Sequence, residues 1–106
     1  MNSKELIKGT LRVIVLKLLA ERRQMYGYEI TQVVKDLTRD ELQLTFGALY
    51  PTLHKLEAEG LLHTRTVTID GRARKYYSLT SVGSRTAVAE VKDYFDFAKA
   101  MTLVLK

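Results

Sequence analysis

Hydrophobic positions along the chain follow a helical period in three successive stretches, then alternate, then return to the helical period. Between Leu6 and Ala20, the residues Leu6, Ile7, Leu11, Ile14, Leu18 and Leu19 fall on one stripe. Val13, Val15 and Leu16 widen it beyond a single core face, so this first predicted helix should touch two neighbours. After the polar break ERRQ, the run YGYEITQVVKDLT sets Ile30, Val33, Val34 and Leu37 at helical spacing, with Gly27 at its start. A turn through Arg39 to Leu44 leads to Thr45, whose hydroxyl suits an N-cap. In the third stretch, FGALYPTLHKLEAEG, the stripe of Phe46, Leu49, Leu53 and Leu56 is expected to face the core. LLHTRTVTI then alternates and is rich in β-branched residues, Asp70-Gly71 is a strong hairpin signal, and ARKYYSLT returns as a second strand. Tyr76 and Tyr77 must point to opposite faces of that strand, one to the core and one to a surface or hinge contact. Thr80 or Ser81 caps a final helix that runs to the C-terminus.

Helix, helix, helix, hairpin is the order of a winged helix-turn-helix, in which the third helix enters a DNA major groove and the wing reaches backbone or minor groove. The predicted fold class is therefore α+β, mostly helical with a small β-hairpin. Residues 1–80 form the winged domain and residues 81–106 a C-terminal dimerisation helix. Opposite its core stripe, the third helix carries Gly47, Ala48, Pro51, His54 and Lys55. Such a small, shallow face lets backbone and helix N-terminus approach phosphates and base edges, and Pro51 offers an apolar surface for a thymine methyl. Thr45, Tyr50 and Thr52 join this face as candidate DNA contacts. Proline removes a backbone donor and crowds the carbonyl of residue i−4. That residue is Gly47, so the two look like a matched pair. The other reading is that Pro51 kinks the helix or marks a later start near Tyr50.

Charge changes this picture only at the wing. Seventeen Lys and Arg against twelve Asp and Glu give the 106-residue chain a net charge of +5, which suits an anionic partner and equally suits solubility. Arg72, Arg74 and Lys75 cluster after the Asp70-Gly71 turn, with Arg65 on the facing strand. They are candidate phosphate contacts, and they also blunt an edge strand against aggregation. Tyr28, at the start of the second helix, either contacts a phosphate or packs against the third helix.

Enzymatic chemistry finds little support. The chain has no cysteine, which excludes disulfides, thiolate zinc sites and cysteine nucleophiles. Its two histidines, His54 and His63, fall on different predicted elements with no carboxylate spaced to complete a triad or a metal site. No glycine-rich phosphate loop is present. No catalytic residue, metal or cofactor is expected. The apolar runs are shorter than the roughly 18 residues a spanning helix needs, and nothing near Met1 resembles a signal peptide, so the expected setting is cytoplasmic, away from membranes.

The last helix carries two apolar stripes. Val88, Val91, Phe95, Ala98, Thr102 and Leu105 form a heptad-like seam, with Tyr94, Phe97, Met101 and Val104 beside it. Two stripes need two partners. One is expected to meet the first helix and the other a second copy of the chain, and the pattern leaves open which is which; the expected dimer interface comprises Leu6 and Leu11 of the first helix with Val88, Val91, Tyr94, Phe95, Ala98, Met101, Thr102 and Leu105 of the last. A two-fold dimer would present two third helices to a pseudo-palindromic operator.

Taken together, Gly9-Thr10-Leu11, Gly27-Tyr28-Glu29, Leu49-Tyr50-Pro51 with Leu56-Glu57, and Tyr76-Tyr77 with Leu79-Thr80 resemble the PadR family of bacterial transcriptional regulators over nearly the whole chain. Tyr26 departs from the histidine frequent before the Gly-Tyr pair. The resemblance implies a homodimeric repressor that contacts double-stranded DNA through the third helix and wing, and dimerises through the last helix. It also implies a small effector, phenolic or drug-like in the best-known branches, bound near the dimer interface. The chain has no tryptophan to stack such a ligand, but Tyr94, Phe95, Phe97 and Met101 could line an apolar cavity. A competing reading keeps the fold and makes it a protein-interaction module; large aromatic anchors on the third helix would favour that reading.

Overall fold

The computed structural model describes residues 3–106. These form α1 (Lys4–Arg22), β1 (Gln24–Tyr26), α2 (Gly27–Leu37), α3 (Phe46–Ala58), β2 (Leu62–Ile69), β3 (Arg72–Leu79) and α4 (Ser81–Leu105). Residues 1 and 2, which open the stretch expected to lack a signal-peptide pattern, lie outside the described residues.

α1 is longer than its stripe suggests and stops after Arg22, where Arg23 takes a left-handed φ of 59°. The segment read as a polar break then becomes a strand. Gln24, Met25 and Tyr26 pair antiparallel with Ser78, Tyr77 and Tyr76, so the hairpin is part of a three-stranded sheet of order β1-β3-β2. Three residues are too few to show a period of two, and only Met25 faces the core, where it is fully buried. Two-residue closure between Ile69 and Arg72 puts Asp70 and Gly71 at φ 50° and 76°, the primed turn that their sequence favours.

The helices cover one face of the sheet. Val15, Leu16, Leu19, Ile30, Leu49, Leu53 and Leu56 form the core with Met25 and Tyr77 from the strands. α1 meets α3, the sheet and α4, in line with its wide stripe. Burial raises the pKa of the Tyr77 hydroxyl, while Tyr76 lies half-buried on the outer face. In α2 and α3, two stripe residues are not where the period placed them. Leu37, in the last turn of α2, is exposed, and Phe46 is 50% exposed. Phe46 starts α3 one turn before Leu49, beyond the end of the core, and Leu44 fills the adjoining buried place.

Both expected caps form. The Thr45 hydroxyl accepts a bond from the Ala48 amide at 3.2 Å. Thr80, rather than Ser81, caps α4 by accepting from the Gly83 amide at 2.9 Å, and its hydroxyl donates to the Gly60 carbonyl at 2.8 Å. Gly83 lies against the Leu61 carbonyl so closely that a Cβ there would collide with it. This contact sets the direction in which α4 leaves the winged domain.

Candidate nucleic-acid interface

α3 is helical from Phe46, so Pro51 sits inside the helix rather than at its start. Its missing N–H leaves the Gly47 carbonyl without an intrahelical partner, and no neighbouring group crowds the Gly47 α-carbon. Gly47, Pro51, His54 and Lys55 are exposed, and Ala48 and Thr52 half-buried, opposite the buried Leu49, Leu53 and Leu56. The Thr52 hydroxyl turns back to the Ala48 carbonyl at 3.2 Å, and the Thr45 hydroxyl is engaged in its cap. What remains outward is small and mostly apolar, with Lys55 as its cation.

Tyr50 does something the sequence did not show. Its hydroxyl end lies on the α-carbon of Gly27, where any side chain would collide, so the pair sets the separation of α2 and α3. Phe46 packs on Tyr50 with ring centroids 5.7 Å apart, and His54 follows at 6.3 Å, making an aromatic row along one edge of α3. Tyr28 shares a groove with Phe46, Leu44 and Lys35, yet about half of its own surface stays open.

The wing cluster does not act as one group. Because strand side chains alternate, Arg72 and Arg74 lie on the outer face and Lys75 on the face toward α3. Lys75 sits 3.8 Å from the Glu57 carboxylate and 5.5 Å above the Tyr77 ring, tethered to α3. The Arg74 guanidinium lies 4.7 Å above the Tyr26 ring, and Arg65 donates to the Gln24 amide oxygen at 3.4 Å. Arg72, beside the turn, is exposed. These contacts of Glu57, Tyr26 and Gln24 are not readable from the sequence, since each acts across strands or between helix and strand.

Another residue missed is Arg12. Its guanidinium grips Glu90 of α4 with two bonds of 2.7 and 2.9 Å and Glu59, just beyond α3, with one of 2.7 Å. Those bonds hold the Glu59 carboxyl below its usual pKa and raise that of Arg12. No local pattern could have joined residues so far apart in the chain.

The last helix is less covered than expected. Only Gly83 and Ala87 of α4 are buried. Val91 and Ala98 are half-buried, whereas Val88, Phe95, Phe97, Val104 and Leu105 are mostly exposed, and Tyr94, Met101 and Thr102 also reach the surface. α1 therefore does not cover one whole stripe. Its Leu6 is exposed, but Leu11 is only 3% exposed and packs inside its own chain, so it has almost no surface for a second subunit. The four residues expected around one cavity divide. Tyr94, Phe97 and Met101 line an apolar hollow of about 580 Å³ with Leu6, Ile7 and Ala98. Phe95 lies instead on a neighbouring hollow of about 280 Å³ with Val13, Ile14 and Val91. Among the described residues no helix is long and apolar enough to cross a membrane, and no three His, Cys, Asp or Glu side chains gather to hold a metal.

Comparison with known proteins agrees with this architecture. The chain superposes on a transcriptional regulator from Clostridium thermocellum with a TM-score of 0.86 at 24% identity, covering 96% of this chain and 99% of the other, which speaks to the fold. A PadR family transcriptional regulator from Eggerthella lenta gives a TM-score of 0.82 at 28% identity, over 96% and 87% of the two chains. The transcriptional regulator Rv3488 of Mycobacterium tuberculosis is 38% identical over 87 residues, 82% of this chain and 77% of that protein. Residues 15–89 match the description "Transcriptional regulator PadR-like family". With its winged-helix fold and this match, the chain belongs to the PadR-like family of DNA-binding transcriptional regulators.

Proposed function

We propose that the protein is a sequence-specific, ligand-responsive repressor that binds a pseudo-palindromic operator as a homodimer. The winged part, residues 1–80, reads DNA, and the helix over 81–106 joins the two subunits. The observation that carries this reading is the contrast between the two sides of α3. Leu49, Leu53 and Leu56 anchor it to the core, while Gly47, Ala48 and Pro51 leave an outward face shallow enough for base edges to reach. Arg72 at the wing tip supports a phosphate contact beside it.

Selection of bound sequences from random duplex DNA tests the proposal and yields the operator. Arg72→Ala should then weaken binding to all duplexes and lower the salt slope by about 1, while changes at Ala48, Pro51 or Thr52 should alter the preferred sequence. Equal binding of every duplex, indifferent to Arg72→Ala, would reject it. For the effector, the hollow formed by Tyr94, Phe97, Ala98 and Met101 is apolar and large enough for a small aromatic molecule. A hundredfold release of DNA would require about 2.7 kcal/mol of coupling between the two sites.

One observation favours the protein-interaction reading. Tyr28, Phe46 and Tyr50 are large exposed aromatics beside the small face of α3. The same residues suit apolar contact with thymine methyl groups. Phe46→Ala separates the two, since it should shift or weaken operator selection if Phe46 meets DNA and leave it unchanged if the row serves a protein partner.

A further inference from the structure

We infer that Tyr26 is a positioning residue that fixes the pose of the wing by carrying Arg74 on its ring. The inference rests on the DNA-binding reading above.

Tyr26 stands where three parts of the molecule meet. It ends β1 and pairs with Tyr76 of the wing strand. Its amide donates to the Glu29 carboxylate at 3.0 Å, securing the start of α2. Its ring points to the outer face of the sheet, where Tyr76 meets it edge-on, with centroids 5.4 Å apart and planes at 79°. The ring is thus held from the backbone and from one side. Above it lies the Arg74 guanidinium, at 4.7 Å from the centroid.

Stacking uses the flat face of a guanidinium and leaves its N–H edges free to donate. Among the described residues Arg74 forms no ion pair, unlike Lys75, which is drawn to Glu57. Arg74 is therefore a charge kept in place but not neutralised. An arginine ordered before DNA arrives loses less rotational freedom on binding, which is the benefit of preorganisation. Because the platform also begins α2, the charge on the wing is held in register with the helix-turn-helix rather than with the hairpin alone.

The test is a double-mutant cycle on the full-length protein, using a labelled duplex obtained from the selection above and a salt series. Tyr26→Leu and Arg74→Ala should each weaken binding about two- to tenfold, and the double variant should be no weaker than Arg74→Ala alone. Both should lower the salt slope by about 1. Tyr26→Phe keeps the platform and should bind within about twofold of the parent. Independent, multiplying losses would overturn the inference, as would a Tyr26→Leu loss with unchanged salt slope that follows a drop in thermal stability. Should Tyr26→Leu fail to fold, Arg74→Lys carries the test, because a lysine that restores full affinity shows that charge alone matters and overturns the stacked arrangement. A parent protein that selects no duplex would overturn the DNA-binding reading itself, an outcome distinct from a parent that binds but ignores Tyr26.

Discussion

Arg12 shows how one side chain can hold a small protein together. At one-third exposure it joins α1 to α4 and to the end of α3, and its pairing with Glu90 is bidentate. Arg12→Ala should cost roughly 1–2 kcal/mol, more than a lone surface pair, because it strands two carboxylates near each other. The pH dependence follows from Glu59, whose folded pKa lies below the ordinary value of 4.5. Its contribution is complete above that value and is lost as pH falls through the lower folded pKa. Thermal melts of the parent should therefore weaken in acid below about pH 4.5, and Arg12→Ala should weaken less steeply over that range. Gly27 is the second decisive residue. Gly27→Ala should displace the Tyr50 ring at a cost of about 1–3 kcal/mol, and adding Tyr50→Leu should recover part of the melting temperature by making room.

Among the elements, the most predictable were those with their own hydrophobic period. α1, α3, α4 and the hairpin were legible because each repeats its pattern over several turns or pairs, and Thr45 and Asp70-Gly71 marked their ends chemically. β1 was not, because its pairing with β3 joins residues some fifty positions apart and Met25 alone of its three side chains is buried. The candidate site was legible as a set of residue types and not as an arrangement. Gly47, Ala48 and Pro51 could be placed from helical angles, but which face of the wing strand, that of Lys75 or that of Arg72 and Arg74, turns toward α3 needed the folded sheet, and the seating of Tyr50 on Gly27 needed the crossing of two helices. The joint between wing and α4 makes a sharp test at this scale. Gly83→Ala must push the first turn of α4 off the Leu61 carbonyl, so it should lower stability by about 1–3 kcal/mol and tilt the helix. Melting curves give the first effect. Loss of operator affinity in a variant that remains folded would report the second.

For the molecule as a whole, α4 raises the question of what covers it. Its 25 residues extend about 37 Å, and most of the apolar surface from Phe95 onward is unprotected within one chain. The proposed dimer would bury that surface. Truncation before Lys92 should abolish a concentration-dependent melt and leave a weakly stable monomer with Ile7 newly exposed; sedimentation across a dilution series measures this directly. A truncated chain that still sediments as a dimer would place the contact elsewhere. The division of labour in α3 reaches further. Surface substitutions away from special features usually alter stability by less than about 0.5 kcal/mol. Of the residues proposed to meet DNA, His54 and Lys55 are exposed and take no part in the core, whereas Leu49, Leu53 and Leu56 carry the packing and Ala48 lies against it. In the proposed reading, operator preference can therefore change by single substitutions at His54 or Lys55 with little penalty in folding. Ala48, bound to the core, and Gly47 and Pro51, tied to each other by backbone geometry, are the exceptions. A duplicated copy of such a gene would be free to drift toward a new target while the scaffold beneath it stays the same.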